Sequence, residues 1–143
     1  MNVEAILKTK GRAVVTIGPE ASIADAVELL RQKGIGAVVV SDDGVHVGGI
    51  LSERDVVHAL AERGAKTLEL KVSALMTRHV YSCRPDDTVA DLMAEMTGRR
   101  IRHLPVVDDG RLGGIISIGD VVKSRLDEVE SEASSLRQFI TSA

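Results

Sequence analysis

The chain repeats itself, and that repetition constrains its fold more than any other feature. Pro19-Glu-Ala-Ser-Ile-Ala-Asp25 returns 66 positions later as Pro85-Asp-Asp-Thr-Val-Ala-Asp91, and Val40-Ser-Asp-Asp-Gly44 returns at the same spacing as Val106-Val-Asp-Asp-Gly110. A third block, Gly48-Gly-Ile-Leu-Ser-Glu-Arg-Asp-Val-Val57, returns as Gly113-Gly-Ile-Ile-Ser-Ile-Gly-Asp-Val-Val122 at a spacing of 65. One residue is lost in the intervening turn, where a change of length costs least. Self-similarity at a fixed period means one supersecondary unit used twice. Each copy, residues 13–63 and 79–126, has about 50 residues and would bury too little surface alone, so the two are expected to pack together. The full chain of 143 residues suits one module of ordinary size.

The order of elements within a copy follows from local pattern. Ala13-Val-Val-Thr-Ile17 is a β-rich run ended by Gly18-Pro19, and Ser22 to Lys33 sets Ile23, Ala26, Val27 and Leu30 at helical spacing before the stop at Gly34. Ala37-Val-Val-Val40 and Val47 to Leu51 flank Asp42-Asp-Gly44, which signals a hairpin, and a helix from Ser52 to Ala61 closes the unit. The second copy reads in parallel as Val80–Cys83, Thr88–Thr97, Leu104–Val107, Leu112–Ile116 and Ser117–Leu126. The fold class is therefore α/β (α+β), built as β-α-β-β-α twice. A short apolar helix leads into each unit, Val3-Glu-Ala-Ile-Leu7 and Val72-Ser-Ala-Leu-Met76, which assigns 3–63 to the first domain, 64–71 to a linker and 72–126 to the second domain.

Composition narrows the chemistry. The only aromatic side chains are Tyr81 and Phe139, so both the core and any base-binding wall must be aliphatic, and the stacking platforms of single-strand nucleic-acid binders are missing. A net charge of −3 gives no general attraction for a polyanion, which argues against nucleic acid as a partner. The lone Cys83 cannot form an internal disulfide, no apolar run approaches a membrane span, and the N-terminus lacks a signal pattern. These features imply a soluble, cytoplasmic protein. The four histidines, His46, His58, His79 and His103, are spaced unlike a metal pair, so no metal is expected. Cys83, in an apolar strand, reads as a buried inert thiol and not as the partner of His103 in catalysis. Neither a dinucleotide fingerprint nor a P-loop is present.

All four main helices open with a hydroxyl residue followed three positions later by Asp: Ser22/Asp25, Ser52/Asp55, Thr88/Asp91 and Ser117/Asp120. For the first and third pairs, helix capping is explanation enough. Ser52 and Ser117 follow strands ending Gly-Gly-Ile-Leu and Gly-Gly-Ile-Ile, at the carboxyl end of a strand and the amino end of a helix. Crevices of that kind bind ligands, free N–H groups there attract phosphate, and an Asp one turn in suits ribose hydroxyls. Capping and ligand binding both remain open for these two pairs.

The doubled unit resembles a tandem pair of cystathionine β-synthase (CBS) domains over residues 3–126. The residues that carry the resemblance are Gly49-Ile-Leu-Ser-Glu-Arg-Asp55, Gly114-Ile-Ile-Ser-Ile-Gly-Asp120 and Arg102-His-Leu-Pro-Val-Val-Asp108. It implies a pseudo-twofold module whose two clefts bind adenosine-containing ligands: AMP, ADP, ATP, S-adenosylmethionine or NAD(H)-type dinucleotides. Asp55 and Asp120 would hold ribose hydroxyls, and Ser52 and Ser117 would face phosphate. The base would lie against Val14-Val15 or Val80-Tyr81 on one side and against Ile35-Gly36 or Ile101-Arg102 on the other.

The copies differ where charge matters. Gly34-Ile-Gly-Ala37 is replaced by Arg100-Ile-Arg-His103, and Glu53-Arg54 by Ile118-Gly119. Arg102, His103 and Arg54 are thus the candidate phosphate contacts, against a plain alternative of a solvated cluster with His103 packed at a strand start. The clefts should have unequal affinity. After the second copy, Val122, Leu126, Val129, Ala133, Leu136 and Ile140 form an amphipathic stripe that extends into the tail, residues 127–143, and suits either packing back on the module or contact with another subunit. The family resemblance implies a homodimer and a non-catalytic sensor that signals to a protein partner. The alternative is a structural module with vacant clefts.

Overall fold

The structure, a computed structural model, describes residues 1–142; Ala143, the last residue of the expected tail, lies outside them. Helix α1 spans Val3–Lys10. The first unit follows as β1 (Thr16–Ile17), α2 (Ile23–Lys33), β2 (Ala37–Val40), β3 (Gly49–Ser52) and α3 (Glu53–Arg63). After a 3₁₀ turn over Gly64–Glu69 come α4 (Val72–Leu75), α5 (Val89–Arg99), β4 (His103–Asp108), β5 (Arg111–Ser117) and α6 (Ile118–Ser142). In the first unit β1 runs parallel to β2, and β2 pairs antiparallel with β3. In the second, β4 and β5 form the matching hairpin.

The first strand of the second unit, expected over Val80–Cys83, is reduced to a single parallel bridge between Cys83 and Val106. Cys83 N–H donates to the Pro105 carbonyl at 2.9 Å, and Val107 N–H donates to the Cys83 carbonyl at 2.8 Å. The next rung would need an N–H from Pro105, which a proline lacks, so the ladder stops there. Copy one has Val39 at that position, and its ladder continues through Thr16↔Val39.

Two hydrophobic cores form, and each takes in the helix that precedes the other repeat in sequence. Val3, Ile6 and Leu7 of α1 are buried with Leu92, Met96, Leu104 and Ile116 of the second unit. Val72 is buried with Ile23, Val38, Leu51 and Val56 of the first, and Leu75 and Met76 pack against the same cluster. The backbone repeats this exchange. Val3 and Glu4 N–H donate to the Asp87 and Pro85 carbonyls, as Val72 and Ser73 N–H donate to those of Ala21 and Pro19. So residues 3–63 are contiguous in sequence, but their first helix completes the other half. Segment 64–71, expected as a linker, is folded: Thr67 is fully buried and its hydroxyl donates to the Ala59 carbonyl at 3.1 Å.

The crossing explains the second glycine of each pair, Gly49 and Gly114. A Cβ on Gly49 would lie 2.7 Å from Met76 Sδ and 3.0 Å from the Thr77 carbonyl, and one on Gly114 would lie 2.6 Å from Leu7 Cδ2. A side chain at Gly49 would have to displace Met76 and the Thr77 carbonyl, and one at Gly114 the Leu7 side chain.

All four helix starts are capped as their spelling predicts: Ser22, Ser52, Thr88 and Ser117 each accept from the N–H three residues on. At the C-terminal ends of α2 and α5, Gly34 (φ 61°) and Arg100 (φ 55°) occupy the same left-handed position. The helix expected to end at Leu126 runs unbroken into the tail as α6. Leu136, Phe139 and Ile140 are 60%, 72% and 65% exposed, so the tail does not fold back on the module.

Candidate functional site

A cleft of about 610 Å³ opens at the seam between the units. Copy one supplies Gly36 and Ala37 at the start of β2, Ile50 and Ser52 of β3, and Glu53, Arg54, Asp55, Val57 and His58 of α3. Copy two supplies Thr77, His79, Val80 and Tyr81 from the chain after α4, and Arg100, Ile101, Arg102 and His103 from the turn into β4. Of the residues singled out in the sequence, Gly36, Ser52, Arg54, Asp55, Tyr81, Ile101, Arg102 and His103 therefore meet in one place. Val15 packs instead against the first core. Ser117 and Asp120 lie at the symmetry-related position, where β5 passes into α6.

Ser52 and Asp55 form a reciprocal capping box: Ser52 N–H donates to Asp55 Oδ2 at 2.9 Å, and Asp55 N–H donates to Ser52 Oγ at 3.2 Å. This orients the carboxylate at the cleft wall and, among the described residues, leaves its Oδ1 without a hydrogen bond. Capping and ligand binding are thus compatible roles for one pair. The expectation of a row of free N–H groups at the helix start is corrected. Glu53 N–H donates to the Gly36 carbonyl at 2.9 Å and Asp55 N–H is taken by Ser52, which leaves Arg54 N–H as the first-turn donor. Phosphate charge at this cleft would fall mainly to side chains.

Three arginines, Arg54, Arg100 and Arg102, stand against Glu53 and Asp55 in the cleft, with His58, His79 and His103 beside them. Arg100 keeps its place at a cost, since a left-handed backbone strains a non-glycine residue by about 1–2 kcal/mol. Such strain concentrates where function holds a side chain. Burial lowers the pKa of His103, assisted by the nearby Lys10 and Arg102 cations and opposed by Glu53 and Asp120. Its imidazole is thereby biased to the neutral form. The apolar wall is Ile50, Val57, Val80 and Ile101, with the Tyr81 ring fixed edge-on to His79 (centroids 5.1 Å apart) and under the Arg99 guanidinium at 4.1 Å. A shallower depression of about 290 Å³ continues over α3 past Arg54, Asp55 and His58 to Arg63.

Sequence reasoning passed over Arg100, His58 and His79 as site residues. Arg100 carried a signal, because it stands where the repeat has the helix-ending Gly34. Cys83 is 2% exposed and burial pushes its thiol up to about 12, so it offers no thiolate near neutral pH. Among the described residues no cluster of His, Cys, Asp and Glu is arranged for a metal ion, and no helix is long and apolar enough to cross a membrane.

A doubled β-α-β-β-α unit with a largely apolar cleft at its seam, edged by three arginines, defines a paired ligand-binding module. The family model of the CBS domain matches twice, over residues 4–62 and 72–127, and the chain belongs to that family as a tandem CBS pair. The CBS-domain protein ATU1752 of Agrobacterium tumefaciens is 53% identical and superposes with a TM-score of 0.84 over 87% of this chain and 99% of its own. The CBS pair of protein MJ0100, solved with 5′-methylthioadenosine and S-adenosyl-L-methionine, is 27% identical with a TM-score of 0.76, over 91% of this chain and 98% of that one. The Pyrobaculum aerophilum protein PAE2072, solved with AMP, is 25% identical with a TM-score of 0.74, over 84% and 89% of the two chains.

Proposed function

We propose that this protein is a non-catalytic sensor that binds an adenine nucleotide in the cleft between Ser52–His58 and Arg100–His103 and signals its presence to a partner. The observation that carries the reading is the box-held Asp55 carboxylate, free on one oxygen, beside three arginines and an aliphatic wall. In this reading Asp55 takes the ribose diol. Ser52, Arg54, Arg102 and His103 face the phosphate, and the adenine lies between Val80-Tyr81 and Ile101. The AMP, methylthioadenosine and S-adenosylmethionine held by related CBS pairs support an adenosine ligand. The cationic lining favours a phosphorylated one over an uncharged nucleoside. Binding would act on a partner only through a difference in affinity between two arrangements of the repeats.

A homodimer accompanies this reading. Val122, Leu126 and Val129 on α6 and Val57 and Leu60 on α3 are exposed apolar side chains, continued along the tail by Leu136, Phe139 and Ile140. A second copy of the chain would cover them. Mass spectrometry of small molecules released from the purified protein, followed by titration calorimetry with AMP, ATP and NADH, tests the ligand. Retention and binding of an adenine nucleotide are expected; a protein that retains none and binds none of the three would refute the reading.

A further inference from the structure

The two clefts are spelled alike at their ribose carboxylates but are not equally available. In the first, Asp55 Oδ2 accepts one hydrogen bond, from Ser52 N–H. In the second, Asp120 Oδ2 accepts two, from Ser117 N–H at 2.9 Å and from the Lys10 ammonium at 2.6 Å. Lys10 Nζ also donates to the Ile115 carbonyl at 2.8 Å, so two bonds hold the ammonium between β5 and the first turn of α6. A carboxylate oxygen has two acceptor sites, and both on Asp120 Oδ2 are filled. A vicinal diol uses both oxygens of a carboxylate; Asp55 Oδ2 keeps one acceptor site for it and Asp120 Oδ2 keeps none.

Lys10 reaches Asp120 because of the exchange of leading helices. α1 has eight residues where its counterpart α4 has four, so the extra turn carries Lys10 over the second cleft. Leu7 and Met76 are the matching residues against Gly114 and Gly49, which makes His79 the counterpart of Lys10, and His79 lines the first cleft without an ion pair to Asp55. The repeat also spreads its cations unevenly: Arg54 and Arg100 line the first cleft where the other copy has Gly119 and Gly34.

We propose that Lys10 is a built-in competitor for the second cleft, holding Asp120 in place of a ligand's ribose, so that the first cleft fills first and the second binds only when Lys10 is displaced. This rests on the reading of the clefts as adenosine sites. The side chains of the pair are 35% and 24% exposed, which places the interaction among modest ion pairs and sets the handicap at about fivefold in affinity.

The test is titration calorimetry with AMP and with adenosine on the full chain, comparing the native protein with Lys10→Met. The second binding event should tighten about fivefold in Lys10→Met, leave the first unchanged, and disappear in Lys10→Met/Asp120→Asn. A weaker or unaltered second event in Lys10→Met would overturn the proposal, the weaker one by making Lys10 a ligand contact. Should neither protein bind, the adenosine reading fails, and ¹³C NMR titration of the Asp120 carboxyl decides the competitor separately. Burial pushes this carboxyl up, but Lys10 and Ser117 N–H outweigh it and hold it below the usual aspartate range. It should rise in Lys10→Met; an unmoved titration means the pair does not form in solution and overturns the proposal.

Discussion

Replacing Leu7 by Ala tests the exchange of leading helices. Leu7 is 1% exposed and lies in the second core with Leu92, Met96, Leu104 and Ile116, far from its sequence neighbours in copy one. Losing three side-chain carbons at about 0.8 kcal/mol each removes about 2.4 kcal/mol of transfer free energy. The residual cavity brings the cost to about 3 kcal/mol, within the usual span for a buried Leu→Ala. For a chain of this size that lowers Tm by about 10 °C. The location of the loss is the sharper readout. Amide hydrogen exchange should lose protection most over α5, β4 and β5, by about a hundredfold where opening is local. Protection lost over α2, β2 and β3 but kept over β4 and β5 would refute the exchange.

Arg100→Gly should relieve left-handed strain, offset in part by the greater freedom of glycine in the unfolded chain, for a net gain of about 0.5 kcal/mol. AMP affinity should fall in the same variant; lower stability with unchanged affinity in denaturation and calorimetry would contradict the role given to this residue. His103 supplies a pH dependence. Its folded pKa lies below the ordinary 6.5, so the native state prefers neutral imidazole, and stability is lost as pH falls from 6.5 through the folded value. Melting curves at pH 7.5 and 5.5 should show a smaller pH-dependent loss in His103→Gln than in the native protein. A phosphate beside His103 favours the protonated ring, so AMP binding should strengthen from pH 7.5 to 6.0 in the native protein and lose most of that slope in His103→Gln.

Most of the fold was legible because the repeat aligns two weak patterns into one strong one. The caps at Ser22, Ser52, Thr88 and Ser117, the hairpin turns and the extent of α2 and α5 all follow from local spelling. Periodicity tells that Val3, Ile6 and Leu7 share a buried face but not which core receives it, so the exchange of α1 and α4 was invisible. The missing strand at Val80–Cys83 depended on a proline in its partner, Pro105, and not on its own residues. In the site, Ser52 and Asp55 were readable as a motif, and the cleft gathers Arg102 and His103 beside them. The Lys10–Asp120 pair was not readable, because it depends on the length of one helix and on the core that helix joins.

The central claim is that Asp55 makes the first cleft a ribonucleotide site. Asp55→Asn keeps an acceptor for Ser52 N–H and hence the cap, while removing the charge that holds the ribose diol. Calorimetric titration of the native protein and Asp55→Asn with AMP, alongside melting curves without ligand, measures the claim directly. A loss of more than tenfold in first-site affinity at nearly unchanged Tm is the predicted result; equal affinity in the two proteins would contradict it.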